Sequence, residues 1–340
     1  MSNRVCIGLI LAAFLLMTRT PCAGKEETAS PETLSSRALL QEEIRAQGMP
    51  PVLMRAEIQV LDVKGAWVQG SYTLNWVSPS RWREELRVGS YERLRIGDAK
   101  GFWQRSGLDY QPEIAFRLDT VLHVKDVLRP GSKQFFGKVK SQKDDGVWQE
   151  CAEVRSAHGV DRVLCFDDAS GALLSVEYHA DPSRIPPQIS RIEYYSFRNV
   201  SEKLVPFGIR ALRGEKPIVT MKVLEITRVS EESPALFEAP SNAEFWTRCD
   251  DMKDPELVGK VQPTYPASAR ESGEQGRVML YAVVEVDGSL SHITVIQRAT
   301  PSLESAAVEA VHGWHYEPAL CGQSPIRLEI PIIVDFWLRY

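Results

Sequence analysis

Arg277-Val278-Met279-Leu280-Tyr281-Ala282-Val283-Val284-Glu285-Val286, then Asp287-Gly288, then Leu290 to Gln297, is the stretch that decides how the end of this chain folds. The first run is rich in Val and carries Tyr and few charges, so it reads as a strand. Asp-Gly between two such runs signals a hairpin, because Gly accepts the positive φ of a tight turn. Leu290 to Gln297 is then the antiparallel partner. Downstream, Pro301-Ser302-Leu303-Glu304 opens a helix with Ser302 as its cap. The helix runs through Ala306-Ala307-Val308-Glu309-Ala310-Val311 to Trp314, and Pro318 stops it. Arg327 to Leu338 is a last strand. Upstream, Ala267 to Glu271 is a short helical piece. Strand, strand, helix, strand predicts a small α+β unit over residues 258–340, one helix against an antiparallel sheet.

The chain before it has another texture. Ala56 to Val63 alternates polar and apolar residues, and so does Gly70 to Val77. Trp82, Glu84, Leu86 and Val88 continue the period of two, as do Tyr91, Leu94 and Ile96. Turn residues punctuate the runs at Lys64-Gly65, Pro79-Ser80, Gly89-Ser90 and Gly97-Asp98. Further strands are expected from Phe135 to Val229, and one helical interruption at Pro112 to Val127. About a dozen short strands with one or two helices predict an antiparallel curved sheet or half-barrel over residues 51–230. Residues 25–50 read as a polar segment with an amphipathic piece at Leu39 to Ile44. Residues 231–257 carry loop chemistry and read as a linker.

Residues 1–24 read as a secretory signal peptide. Arg4 precedes an apolar run from Val5 to Met17, and small residues lead to a polar boundary at Lys25-Glu26-Glu27. The run is shorter than the ~20 residues a bilayer span needs. The expected location is therefore the periplasm, or the membrane if the segment stays uncleaved. Six cysteines are present, two of them, Cys6 and Cys22, in this leader. An even remainder in an exported chain reads as disulfides. Four cysteines allow three pairings. Cys151 and Cys165 sit in adjacent strand-like runs around a turn, which favours pairing them, and Cys249 with Cys321 by elimination; free buried thiols are the other reading.

The 340 residues hold 40 Lys and Arg against 45 Asp and Glu, a net charge of −5, which gives no basis for nucleic-acid binding. No nucleophile elbow, no His-Glu-x-x-His and no phosphate loop occurs, so neither an enzyme nor a cofactor is expected. His312 and His315 near Cys321 have metal-like spacing but read as helix-terminal residues, so no metal is expected. Arg81, Arg83, Arg87, Arg93 and Arg95 interleave with Glu84, Glu85 and Glu92 and read as a solvated mixed-sign face.

Residues 258–340 resemble the C-terminal domain of the TonB family. The resemblance is carried by Pro263-x-Tyr265-Pro266, Ala269-Arg270, Gly276-x-Val278, Asp287-Gly288, Ala306-Ala307 and Trp314-x-Tyr316-x-Pro318-Ala319 with Gly322. Gly70-x-Tyr72, Pro79-x-Arg81-Trp82-Arg83, Gly97-Asp98 and Trp103 give residues 50–230 a weaker resemblance to the LolA/LolB-type lipoprotein-carrier half-barrel. The first resemblance implies an exposed edge strand that pairs with an extended segment of a TonB-dependent outer-membrane receptor or another envelope protein. That edge is the last strand: Arg327, Leu328, Glu329, Ile330, Ile332 and Val334. Tyr265, Pro266, Gly276, Asp287, Gly288, Trp314, Tyr316 and Pro318 are expected to be structural. The second resemblance implies a lipid or acyl-chain cavity lined by Trp76, Trp82, Trp103 and Phe116. The combined reading is a non-enzymatic periplasmic envelope protein linked to transport across the outer membrane. A lipid or lipoprotein carrier and an anchored energy transducer are the rival readings. The family's Pro-rich spacer is replaced by a β domain, which argues against transduction.

Overall fold

The computed structural model describes residues 29–42, 50–62, 65–106, 134–157, 159–179, 189–230, 233–249 and 252–338, with Leu118, Val121, Leu122 and Leu128. The leader, Phe116, Ile114 and most of the Pro112–Val127 helix lie outside these residues.

The alternating segments form β1 (Val52–Leu61), β2 (Trp67–Ser78), β3 (Arg81–Val88), β4 (Tyr91–Gly97), β5 (Gly101–Ser106), β6 (Phe135–Asp144), β7 (Val147–Ser156), β8 (Gly159–Asp167), β9 (Leu173–Tyr178), β10 (Arg191–Val200), β11 (Lys203–Arg213) and β12 (Lys216–Arg228). In β1 the period of two is explicit: Val52, Met54, Ala56, Ile58 and Val60 are buried, while Arg55, Glu57 and Gln59 face solvent. These strands and β13 (Glu244–Thr247) make one thirteen-stranded antiparallel sheet, in the order β13-β5-β4-β3-β2-β1-β12-β11-β10-β9-β8-β7-β6. Two meanders, β1 to β5 and β6 to β12, meet where β1 pairs β12.

One continuous core lies against this sheet. Leu34 and Ala38 of α1 (Pro31–Glu42) enter it together with the helical residues Leu118, Val121 and Leu128. α1 starts well before the expected Leu39 to Ile44 piece, because the Ser30 hydroxyl accepts the Thr33 N–H at 3.2 Å and Pro31 opens the first turn.

Residues 231–257 are more than a linker. A 3-10 turn at Pro234–Phe237 packs on β3, where the Arg83 Nη1 donates to the Leu236 carbonyl at 3.0 Å. β13 completes the large sheet beside β5. β14 (Met252–Lys253) and β15 (Glu256–Gly259) then pair within the C-terminal unit.

That unit continues through α2 (Ala267–Glu271), β16 (Gly276–Val284), β17 (Leu290–Gln297), α3 (Pro301–His312), β18 (His315–Glu317), β19 (Ala319–Cys321), β20 (Ser324–Ile326) and β21 (Leu328–Phe336). Its main sheet runs β17-β16-β21, flanked by the pair β15-β18 and the ribbon β14-β19-β20. α3 presents Leu303, Ala307 and Val311, spaced by four, to Val278, Leu280, Ala282, Ile332 and Val334. It ends at His312 with Gly313 behind it, two residues short of the expected Trp314. Its N-cap is Thr300, whose side chain makes no capping bond to the helix, and the Ser302 hydroxyl donates to Glu274. Among the described residues no helix is long and apolar enough to cross a membrane.

Candidate functional site

β21 is an edge strand. Among the described residues it pairs with β16 alone, from Leu328↔Val284 to Phe336↔Gly276, without a register shift. Alternation divides its side chains. Ile330, Ile332 and Val334 face α3 and the core, with Ile332 and Val334 fully buried. Glu329, Pro331, Ile333 and Asp335 occupy the other face, where Asp335 receives the Arg277 guanidinium at 2.7 Å and Ile333 packs on Met279 and Tyr281.

Pro331 identifies which amides point away from the sheet. Proline has no N–H, so within a sheet it sits where the nitrogen faces outward. It pairs across from Tyr281, and ladder bonds alternate along an antiparallel strand. The N–H groups of Glu329, Ile333 and Asp335 therefore face outward with Pro331, while Leu328, Ile330, Ile332 and Val334 bond inward to β16. Of the residues expected to meet a partner, Ile332 and Val334 thus spend their side chains on the core. What the edge offers is main chain, with Ile333 and Asp335 in the outward set.

Arg327, just before β21, is also engaged. Its guanidinium bonds Glu285 at 2.9 Å and Glu244 of β13 at 2.9 Å, and lies 5.1 Å from the centre of the Trp246 ring. It joins the C-terminal unit to the large sheet.

The family-like residues build the frame. The Tyr265 hydroxyl bonds the Glu274 carbonyl, and its ring meets Phe336 edge-on at 5.6 Å. Trp314 Nε1 donates to the Val261 carbonyl at 2.8 Å. Gly288 has φ +83°, and a Cβ there would overlap the Tyr316 carbonyl oxygen; the Tyr316 N–H in turn donates to the Gly288 carbonyl at 2.9 Å. A Cβ on Gly276 would press on the Ala299 methyl at 3.3 Å. Asp287 accepts the Ser289 hydroxyl at 2.6 Å and its N–H at 2.9 Å, and these bonds hold its carboxyl below the ordinary range. Pro318 separates β18 from β19. Burial pushes the Tyr316 phenol up.

Missed in the sequence is Glu274. It accepts hydroxyls from Ser302 and Ser272, each at 3.1 Å, and from Thr300, which together lower its pKa and pin the start of α3 to the loop before β16. The signal available was three hydroxyl residues, too common a feature to single out.

The aromatic residues expected to line a cavity are not brought together. Trp76 and Trp82 are cross-strand partners buried in the core. The Trp82 indole lies over Gly97, where a Cβ would overlap the ring. Trp103 pairs with Ile96, next to the Gly97↔Phe102 pair, so it points to the opposite face; there it meets Phe245 edge-on at 5.1 Å and stays 37% exposed. Phe116 lies outside the described residues.

The mixed-sign face is not wholly solvated. Arg83–Glu85 and Arg87–Glu92 are surface-accessible pairs, but the Glu84 and Arg93 side chains are each 1% exposed and 3.1 Å apart. Glu84 also accepts the Tyr72 hydroxyl at 3.0 Å. The parity that buries Trp82 and Leu86 carries Glu84 inward with them.

The cysteines pair as expected, Cys151 with Cys165 and Cys249 with Cys321. The first bridges neighbouring strands β7 and β8; the second joins the segment after β13 to β19.

Residues 261–338 match the family described as Gram-negative bacterial TonB protein C-terminal. Over 82 residues the chain is 33% identical to Protein TonB of Vibrio cholerae serotype O1, a match spanning 23% of this chain and about a third, 34%, of that protein. Among solved structures, a LolA superfamily protein from Nitrosomonas europaea aligns over 62% of this chain and 98% of its own, at 10% identity and a TM-score of 0.42. A DUF1329 family protein from Desulfovibrio piger aligns over 61% of this chain and 95% of its own, also at 10% identity, with a TM-score of 0.43.

Proposed function

We propose that this is a non-enzymatic periplasmic protein of the Gram-negative envelope, and that its C-terminal unit holds extended segments of outer-membrane receptors or other envelope proteins by adding them as a strand to β21. The single observation that carries the reading is that, among the described residues, β21 is paired on one side only. Strand addition draws its affinity from main-chain bonds, and the buried Ile332 and Val334 leave the main chain as what this strand has to give. The similarity of residues 261–338 to TonB C-terminal domains supports the same kind of partner.

The outward amides make the test specific. Asp335→Pro removes one outward donor and leaves the inward bonds to β16 in place. Proline at Ile330 or Ile332 would break the sheet itself. Titration calorimetry of the full chain with a panel of extended peptides from outer-membrane receptors should give a complex that Asp335→Pro weakens at least tenfold, with the thermal unfolding curve kept. Unchanged affinity in a folded Asp335→Pro protein would contradict the reading.

A further inference from the structure

The two disulfides differ in what they hold and in what can reach them. Cys151 and Cys165 are buried inside one sheet, on paired residues of adjacent strands. Breaking that bond leaves the strands paired by their own ladder. Cys249 and Cys321 are partly exposed. Cys321 precedes the exposed turn at Gly322 and Gln323, and Cys249 follows the exposed Thr247 and Arg248.

Cys249–Cys321 is also the joint between the two folded units. The Arg248 N–H still bonds the large sheet, at the Lys100 carbonyl, 2.9 Å away. The next residue, Cys249, is bonded to Cys321 in β19, and Met252 pairs with Cys321 in the ribbon β14-β19-β20. A main-chain bond to one unit and the covalent bond to the other thus sit on adjacent residues. Arg327 is a second link, through Glu244 and Trp246 of β13. Glu244 is 47% exposed, and an ion pair so placed is a weak restraint by itself.

We propose that Cys249–Cys321 is a thiol–disulfide exchange site at which an envelope dithiol switches the joint between the units from rigid to loose. A thiolate of the dithiol attacks one sulfur of the pair, forms a mixed disulfide and expels the other sulfur as a thiolate. The second thiol of the donor then attacks the mixed disulfide, expels the remaining cysteine and leaves the donor oxidised to its own disulfide. Two electrons pass to the cysteine pair, and both thiolates take up protons. Access selects the site: the buried Cys151–Cys165 bond is shielded from an in-line nucleophile, and the partly exposed bond is not. After exchange the units remain joined by the main chain and by Arg327.

The test is a titration of the full chain with dithiothreitol, followed by site-resolved alkylation mass spectrometry and amide hydrogen exchange on the same samples. Cys249 and Cys321 should be alkylated at dithiol concentrations at least tenfold below those that expose Cys151 and Cys165. At that point exchange should quicken at least tenfold over 244–249 and 319–326, with β1, β12 and β16 unchanged. A Cys249→Ser, Cys321→Ser protein should show the faster exchange without any reductant. Simultaneous or reversed order of alkylation would overturn the assignment, as would selective reduction that leaves exchange at the joint unaltered.

Discussion

Gly288 shows how one position can carry a fold requirement that has nothing to do with a partner. Its φ of +83° and its contact with the Tyr316 main chain both exclude a side chain. Gly288→Ala should cost at least about 1–3 kcal/mol, the usual range for a strained non-glycine backbone, read as a lower unfolding midpoint of the C-terminal unit. The Asp-Gly pair was legible as a hairpin; its grip on Tyr316 was not, because β18 lies 27 positions further along and its pairing is non-local. Glu274 makes the matching case for charge. Hydroxyls of Thr300, Ser302 and Ser272 hold its carboxyl below the ordinary 4.5. A folded-state pKa below the unfolded one stabilises at pH above the unfolded value, and that stability is lost as pH falls through the folded value. Acid unfolding of the C-terminal unit should therefore include a step below pH 4.5 that Glu274→Gln removes, with the carboxyl titration followed by NMR. An identical acid profile in Glu274→Gln would show that the hydroxyl cluster does not link folding to this proton.

At the scale of elements, β3 and β4 teach the clearest lesson. Period two was plain in Trp82, Glu84, Leu86 and Val88, and it was enough to place Glu84 inside; charge composition pointed the other way, to a solvated face. Geometry favours the period, because Arg93 and Tyr72 satisfy the carboxylate where it lies. Removing one partner of a buried pair leaves an uncompensated charge. Glu84→Leu should destabilise the large sheet by about 3–5 kcal/mol, and adding Arg93→Leu should restore more than half of that in urea unfolding. No recovery in the double variant would mean that Arg93 is held by other groups. Strands long enough to show a period, β1 to β4, β6 to β12, β16, β17 and β21, were legible with α2 and α3, whereas the six-residue β5 was passed over. β13, β14, β15 and β18 to β20 run for two to four residues, too few for a period to declare itself. α1 was misplaced because its cap signal, Ser30-Pro31, lies in a stretch whose polarity hides that Leu34 and Ala38 are spaced to reach the core.

At the scale of the whole molecule, the chain after Arg228 first finishes one sheet with β13 and then starts another unit with β14. Composition alone read this stretch as a linker; Trp246 and Phe245, both placed by pairing with β5, tie it to the large sheet. The expectation of an exposed edge came from the resemblance to TonB C-terminal domains; the pattern of outward amides was out of reach, because it needs the register opposite Tyr281. The proposed role depends on β21 receiving a strand. Amide hydrogen exchange by NMR, on the full chain with and without a bound receptor-derived peptide, tests it most directly. Ile333 and Asp335 should gain protection on binding, with β17 unchanged. Protection gained in β17 or β15 instead, or none in β21 while the peptide is bound, would contradict it.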